Sequence, residues 1–121
     1  MLRAVLTDVR TEPTLTRSDL EDLFLTFLDA HGLPRAQVNV GIEVRGRRME
    51  CDCVWRAHRL IVELDGRETH DTGAAFERDR ARDRALQVSG WRVVRITWRQ
   101  LHADGDRIAA DLRALLGERY P

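Results

Sequence analysis

Apolar side chains between positions 20 and 28 recur at the spacing of one helix face: Leu20, Leu23, Phe24, Phe27 and Leu28. This periodicity predicts an amphipathic helix. The helix is predicted to begin after Ser18, whose side chain would cap it, with Glu21 three residues later completing a capping box. Gly32 and Pro34 indicate where the helix ends.

Three segments with strand-like patterns follow this helix, at residues 38–44, 48–55 and 60–66. Short turns at residues 45–47 and 56–59 separate them. Because these connections are short enough for hairpins, the three strands are predicted to pair antiparallel in succession.

The second half of the chain predicts a helix over Thr72–Ser89, a strand over Trp91–Thr97 and a C-terminal amphipathic helix. A strand, a long helix and another strand form a crossover, so the third and fourth strands should be parallel. The predicted fold class is therefore α/β, with a mixed four-stranded sheet flanked by helices in the order α-β-β-β-α-β-α. One domain is predicted over residues 18–117. Residues 1–17 would be a short helix that is either a linker remnant or a brace.

Composition narrows the function classes. The chain has 121 residues, 20 arginines and no lysine, and its 20 acidic residues give a net charge of zero. Overall charge thus gives no argument for nucleic-acid binding, and any basic face must be local. With neither a signal-peptide pattern nor a membrane-length apolar run, the chain is expected to be cytoplasmic and to have no membrane partner.

The predicted hairpin of the second and third strands concentrates carboxylates. An even-residue loop at 56–59 fixes a register that places Asp52 opposite Glu63 and Glu50 opposite Asp65. Like charges that face each other across strands are destabilising, so a group of this kind usually has a partner that neutralises its negative charge. A hard divalent cation such as Mg²⁺, which takes oxygen ligands, is the first candidate and suggests phosphodiester chemistry. The alternative is ion pairing with some of the many arginines.

Cys51 and Cys53 flank Asp52 and are predicted to share one strand face. Two cysteines at this spacing on a strand are poorly placed to form a disulfide with each other. They are interpreted as reduced core residues of a cytosolic protein rather than as zinc ligands.

Together with the predicted element order, four motifs resemble a known family. They are Asp52, the segment Glu63-Leu64-Asp65-Gly66, His70 and the segment 90–95 that begins Gly-Trp. The family is domain of unknown function 559, a set of bacterial proteins related to the very-short-patch-repair (Vsr) endonucleases of the restriction-endonuclease-like PD-(D/E)xK superfamily. The resemblance covers most of the chain.

The resemblance implies a restriction-endonuclease-like fold and an endonuclease that hydrolyses DNA with Mg²⁺ or Mn²⁺. Asp52, Glu63 and the backbone carbonyl of Leu64 would hold the metal. Asp65 or His70 would position or deprotonate the attacking water. Asp65 stands where the superfamily most often has lysine, and this chain has none. Duplex DNA is expected rather than single strands, with homodimerisation left open.

Further roles come from position in the family pattern. Glu21 matches a glutamate of the first helix that approaches the metal in many relatives, although a capping box accounts for it equally well. From residue type and position alone, Arg82, Arg95 and Arg48 are predicted to contact nucleic-acid phosphates, with ion pairing inside the protein as the alternative for Arg82 and Arg95 and exposure to water as the alternative for Arg48. The proposed biological settings are DNA repair, restriction or phage and toxin-type defence. The alternative function is a catalytically silent nuclease fold that binds nucleic acid or a protein partner.

Overall fold

The computed structural model describes residues 15–66 and 73–117. The predicted N-terminal helix and His70 lie outside the described residues. The elements are α1 (Arg17–Ala30), β1 (Gln37–Val44), β2 (Arg47–Trp55), β3 (Leu60–Asp65), α2 (Gly73–Val88), β4 (Arg92–Thr97), α3 (Trp98–Ala103) and α4 (Gly105–Leu116), with a 3₁₀ turn at Arg56–His58. Within the described ranges, no helix combines the length and the apolar character needed to cross a bilayer.

The start of α1 differs from the prediction. Its N-cap is Thr16 rather than Ser18. The Thr16 hydroxyl accepts the Asp19 backbone N–H at 3.0 Å, and the Asp19 carboxylate accepts the Thr16 backbone N–H at 3.1 Å. These two bonds satisfy donors that every helix start leaves open. Glu21 is therefore not a capping residue, and its side chain turns into the protein.

The four strands form one sheet in the order β1-β2-β3-β4. β1 and β2 are antiparallel and joined by a tight turn in which Arg45 and Gly46 have φ of 53° and 77°. Positive φ at both central residues is what a two-residue hairpin turn of the right twist requires. β3 and β4 run parallel, as the crossover prediction expects.

The pairing between β2 and β3 is short. It sets Trp55 opposite Leu60, which confirms the predicted register, and it ends at the pair Cys53 and Val62. The predicted pair of Glu50 and Asp65 is therefore not part of the ladder. β3 continues beside β4 instead, and β2 leaves β3 where the carboxylates begin.

The C-terminal region forms two helices where one was predicted. Thr97, the last residue of β4, caps α3 by accepting the Gln100 backbone N–H at 3.0 Å, and the Gln100 side chain accepts the Thr97 N–H at 3.1 Å. This second capping box starts a helix directly at the strand end. The remainder of the predicted fold, a mixed four-stranded sheet with helices on its faces, is confirmed.

Each face of the sheet has its own hydrophobic core. The first core joins α1 and α4 to the sheet through Phe24, Leu28, Cys53, Leu60, Val62, Ile96, Leu112 and Leu116, among others. The second core joins α2 to the opposite face through Ile42, Val44, Cys51, Val54, Ile61, Leu86 and Trp91. The sheet is thus covered on both sides, and its central strands are buried on both faces.

The prediction that Cys51 and Cys53 share a face is wrong. Cys53 packs in the first core and Cys51 in the second. Regular alternation would place them together, but β1 is distorted opposite Asp52, where Asn39 has φ of 54°. The pair of Asn39 and Asp52 is missing from the ladder, although the register is the same on both sides of it. Across this distortion, side chains two residues apart on β1 and on β2 lie on opposite faces of the sheet instead of on the same face.

An ion pair joins α2 to β4 beside the second core. Arg95 donates from Nε and Nη2 to the two carboxylate oxygens of Asp83, both at 3.0 Å. The Arg95 side chain is 19% exposed and the Asp83 side chain 13%. Asp79 stands farther off, at 3.8 Å from Arg95 Nη1, and is more exposed. The ion pairing that the sequence offers as the alternative for Arg95 is therefore made with Asp83.

Removing each carboxylate in turn tests this assignment. We expect Asp83→Ala to lower the free energy of unfolding by about 3 kcal/mol, because it leaves a largely buried guanidinium without its bidentate partner. Asp79→Ala should cost less than about 1 kcal/mol, as is usual for an exposed pair. Urea denaturation followed by tryptophan fluorescence measures both, and equal losses would contradict the assignment.

Candidate active site

Asp52 lies at the point where β2 separates from β3, and it is only 2% exposed. Its Oδ2 accepts the Leu64 backbone N–H at 2.7 Å, so a side chain provides the acceptor where the strand ladder has ended. Its Oδ1 accepts a hydrogen bond from the guanidinium of Arg17, at the start of α1. One oxygen of Asp52 is therefore fixed by the backbone, and the other faces a cation.

Glu63 lies beside Asp52, as the register predicts, and is 5% exposed. Burial raises the pKa of Glu63 to about 7. The nearby guanidinium of Arg82 acts in the opposite direction and lowers that pKa, but its effect is smaller than that of burial. The charge of Asp52 and a hydrogen bond between the two carboxyl groups act in the same direction as burial. Arg82 Nη1 lies 3.3 Å from Glu63 Oε2. The structure thus brings together the two carboxylates that sequence reasoning placed opposite each other.

Glu21 reaches the same region from α1. It is 6% exposed, and its Oε1 accepts a hydrogen bond from Asn39 Nδ2 at 3.1 Å. Its Oε2 is buried and has no hydrogen-bond partner among the described residues. A buried carboxylate oxygen without a partner is costly, which marks this as a site that something else completes.

Leu64 and Asp65 follow Glu63 at the carboxyl end of β3. The Leu64 side chain packs against the first core while its N–H holds Asp52. Asp65 is half-buried and lies in register with Thr97 at the end of β4. His70, the other predicted water-activating residue, is outside the described residues.

The three arginines predicted to contact nucleic acid are engaged within the protein. Arg82 pairs with Glu63 and also donates to the Glu50 backbone carbonyl. Arg95 is bound to Asp83, and Arg48 donates from Nε to Glu50 at 3.0 Å. The alternative of ion pairing inside the protein describes Arg82 and Arg95, whereas Arg48 keeps 64% of its side chain exposed, and the contacts with nucleic acid stay predictions.

Sequence reasoning missed two residues of this region. Arg17 contacts Asp52 although its own side chain is 67% exposed, and no spacing along the chain indicates that contact. Asn39 bonds Glu21 from the interior of β1. Here a signal existed, since asparagine is depleted in strands but tolerates positive φ.

The donor set of the site suits a hard cation better than a soft one. Carboxylate oxygens are the ligands that Mg²⁺ prefers, and one or two carboxylates suffice when water and substrate phosphates supply the rest. Over residues 15–66 and 73–117, no group of three or more His, Cys, Asp or Glu side chains is arranged to hold a metal ion. The described donors fit Mg²⁺ as a pair, Asp52 and Glu63, rather than as a complete protein cage.

The cysteines do not extend this donor set. Burial raises the pKa of the Cys51 thiol to about 12, and burial also raises the pKa of Cys53. Both thiols therefore stay protonated near neutral pH, whereas metal binding and nucleophilic attack need the thiolate.

The raised pKa of Glu63 predicts how stability depends on pH without metal. Between the ordinary value of 4.5 and about 7, the folded state binds more protons at Glu63 than the unfolded state does. Glu63 therefore destabilises the fold progressively as pH rises through that window. We expect the stability advantage of Glu63→Gln over the parent chain to grow from about pH 5 to about pH 8 in urea denaturation with EDTA.

The matched control is Glu50→Gln, which changes an exposed carboxylate on β2 that pairs with Arg48. The difference in free energy of unfolding between Glu50→Gln and the parent chain should stay constant across the same pH range. A Glu63→Gln advantage that stays constant or shrinks as pH rises would contradict the assignment.

Comparison with solved structures supports the fold. The chain is similar to the catalytic domain of the homing endonuclease I-Bth0305I, with a TM-score of 0.59 and 18% sequence identity. The match covers 84% of this chain and 94% of that domain. At this identity the likeness concerns the fold, which is that of an endonuclease domain.

Two relatives come from Mycobacterium tuberculosis, the uncharacterised proteins MT2308 (strain CDC 1551 / Oshkosh) and Rv2248 (strain ATCC 25618 / H37Rv). Each is 33% identical over 81 residues, which is 66% of this chain and 30% of the relative. The chain thus spans about a third of the length of these relatives.

The REase_MTES_1575 family model matches residues 21–116, which run from α1 to α4 and include Glu21, Asp52 and Glu63. Nearly all of the described fold lies within this match. The chain belongs to the restriction-endonuclease-like family REase_MTES_1575.

Proposed function

We propose that this domain is an endonuclease that hydrolyses DNA phosphodiester bonds with Mg²⁺ or Mn²⁺. The observation that carries the proposal is the burial of Asp52 and Glu63 at facing positions where β2 separates from β3. Two adjacent carboxylates taken out of water disfavour each other's charged form unless a cation joins them. Membership of a restriction-endonuclease-like family supports the same chemistry.

Asp52, Glu63 and the Leu64 backbone carbonyl would hold the metal. A bound Mg²⁺ or Mn²⁺ supplies Lewis-acid stabilisation of the charge that develops on a phosphate in hydrolysis. The bond from the Leu64 N–H to Asp52 fixes the direction of that carboxylate in advance. Such fixed orientation lowers the reorganisation needed when the substrate arrives.

The remaining roles belong to groups around the pair. Asp65, at the end of β3, or His70 would position the attacking water and take its proton. Glu21 would approach the metal from α1 with its buried Oε2. Arg17 has an exposed guanidinium next to Asp52, which suits it to pair with a substrate phosphate.

The proposed substrate is duplex DNA in the cytoplasm, and the fold neighbour, whose name describes a homing endonuclease catalytic domain, supports the nuclease function alone. DNA repair, restriction and defence are the proposed settings, and the narrower Vsr-like assignment is part of the same proposal. Because the chain spans 30% of its curated relatives, further domains would select the target in proteins of that length. Homodimerisation remains open in this scheme.

A second function has its own supporting observation. Arg17 already contacts Asp52, and Arg82 already pairs with Glu63. These two arginines neutralise the carboxylates without a metal, and the chain has no lysine for the usual superfamily position. A catalytically silent nuclease fold that binds nucleic acid or a protein is therefore the alternative.

Cleavage of supercoiled plasmid distinguishes the two functions. We expect nicking with Mg²⁺ or Mn²⁺ that EDTA abolishes. Asp52→Asn and Glu63→Gln should each reduce the nicking rate by about 100-fold or more, because each removes a charge that binds the metal. Both substitutions keep the size of the side chain, so circular dichroism and urea midpoints should show intact folding.

Glu50→Gln is the matched control, since Glu50 lies two residues before Asp52 on β2 but is exposed and paired with Arg48. It should nick plasmid within about threefold of the parent chain, as surface substitutions away from a site do. Absence of metal-dependent nicking by the parent chain, or full activity of Asp52→Asn, would favour the silent fold.

A further inference from the structure

The backbone of β1 contains an unusual residue at Asn39. Its φ of 54° lies in the left-handed region, which residues other than glycine seldom adopt. The other described non-glycine residues with positive φ, Arg45 and Arg59, lie in the connections on either side of β2. Among the described residues, only Asn39 has this conformation inside a strand. Strain of this kind often marks a functional constraint.

The conformation of Asn39 is imposed by packing on both of its sides. Val38 packs against the first core and Val40 against the second, although residues two apart on a regular strand share a face. The register with β2 is unchanged across this point, and Asn39 and Asp52 form the one gap in the described ladder. We therefore expect the backbone at position 39 to keep its positive φ with another residue there, and asparagine tolerates this conformation better than most.

Packing accounts for the positive φ at position 39, but it does not account for the presence of asparagine there rather than glycine. The side chain supplies what glycine lacks, a hydrogen bond from Nδ2 to Glu21 Oε1 at 3.1 Å. That bond leaves Glu21 Oε2 buried and without a partner among the described residues. Asn39 stands opposite Asp52 in the register of β1 and β2, so its bond to Glu21 places that carboxylate beside the pair of Asp52 and Glu63.

We propose that Asn39 is a positioning residue whose amide holds Glu21 in place so that its other oxygen can serve the metal site. This inference rests on the proposed metal-dependent function. Asn39 acts through Glu21, and groups that orient metal-binding residues contribute substantially to metal affinity. Asn39 itself is exposed, so its amide binds the buried carboxylate of Glu21 from the solvent side.

Calorimetric titration with MnCl₂ tests the proposal on Asn39→Gly and Asn39→Ala. Asn39→Gly should unfold at a higher urea concentration than Asn39→Ala, because both variants lose the bond to Glu21 but glycine adopts positive φ without strain. It should nevertheless bind Mn²⁺ about tenfold more weakly, because the amide is gone. Asn39→Ala should lose the same affinity but unfold at a lower urea concentration.

The matched control is Arg45→Gly, which replaces another residue with positive φ, six positions after Asn39 and in the turn that follows β1. Its Mn²⁺ affinity should stay within about twofold of the parent value. In a Glu21→Gln background, Asn39→Gly should cause no further loss, since the two changes remove the same contribution.

Two results would overturn the positioning role while the proposed function stands. One is Mn²⁺ binding by Asn39→Gly as tight as that of the parent chain, which would leave Asn39 a backbone residue only. The other is an equal tenfold loss in the Glu21→Gln background, which would show that the amide does not act through Glu21. Absence of Mn²⁺ binding by the parent chain would instead overturn the proposed function and the positioning role with it.

Discussion

The placement of two carboxylates side by side in a nearly dry position is the constraint that organises this domain. Asp52 and Glu63 lie where β2 leaves β3, and each is at most 5% exposed. Their mutual repulsion and desolvation oppose folding, so the surrounding structure supplies compensation from several directions. The Leu64 N–H binds Asp52 from the strand, and Arg82 approaches Glu63 from α2. A fold built only for stability would gain by replacing this pair with apolar residues.

The arrangement of charges around the pair explains how a neutral chain can form such a site. Arg95 is bound to Asp83 with most of its side chain buried, so it joins α2 to β4, whereas Arg48 pairs with Glu50 on its own strand and is 64% exposed. Arg17 differs, because it contacts Asp52 while most of its side chain is exposed. In the proposed function, Arg17 exchanges this carboxylate for a substrate phosphate. The electrostatics needed for nucleic-acid contact are therefore local, in keeping with a net charge of zero.

Much of the fold could be predicted because it depends on short-range patterns. The short loop between β2 and β3 set the register of Trp55 with Leu60, and that register brought Asp52 beside Glu63. The cap of α1 was predicted wrongly because Thr16 and Ser18 are both good caps with an acidic residue three positions later.

The remaining errors depend on distant contacts. The asparagine in β1 is a sign of a distortion, but only the packed sheet shows that side chains change faces at Asn39 and Asp52, so the faces of Cys51 and Cys53 were assigned wrongly. Arg17 lies 35 residues before its partner Asp52, at a separation that only the packing of α1 on the sheet decides. For the same reason, spacing could not tell arginines that bind carboxylates within the protein from arginines available to a phosphate.

The most direct test of this account is a crystal structure of the domain grown or soaked with MnCl₂, with anomalous diffraction recorded near the manganese edge. The account predicts a strong anomalous peak within about 2.3 Å of oxygens from both Asp52 and Glu63. It also predicts that the Arg17 guanidinium has moved away from Asp52. No peak at this position, with Arg17 still bound to Asp52, would contradict the claim that the carboxylate pair is a metal site.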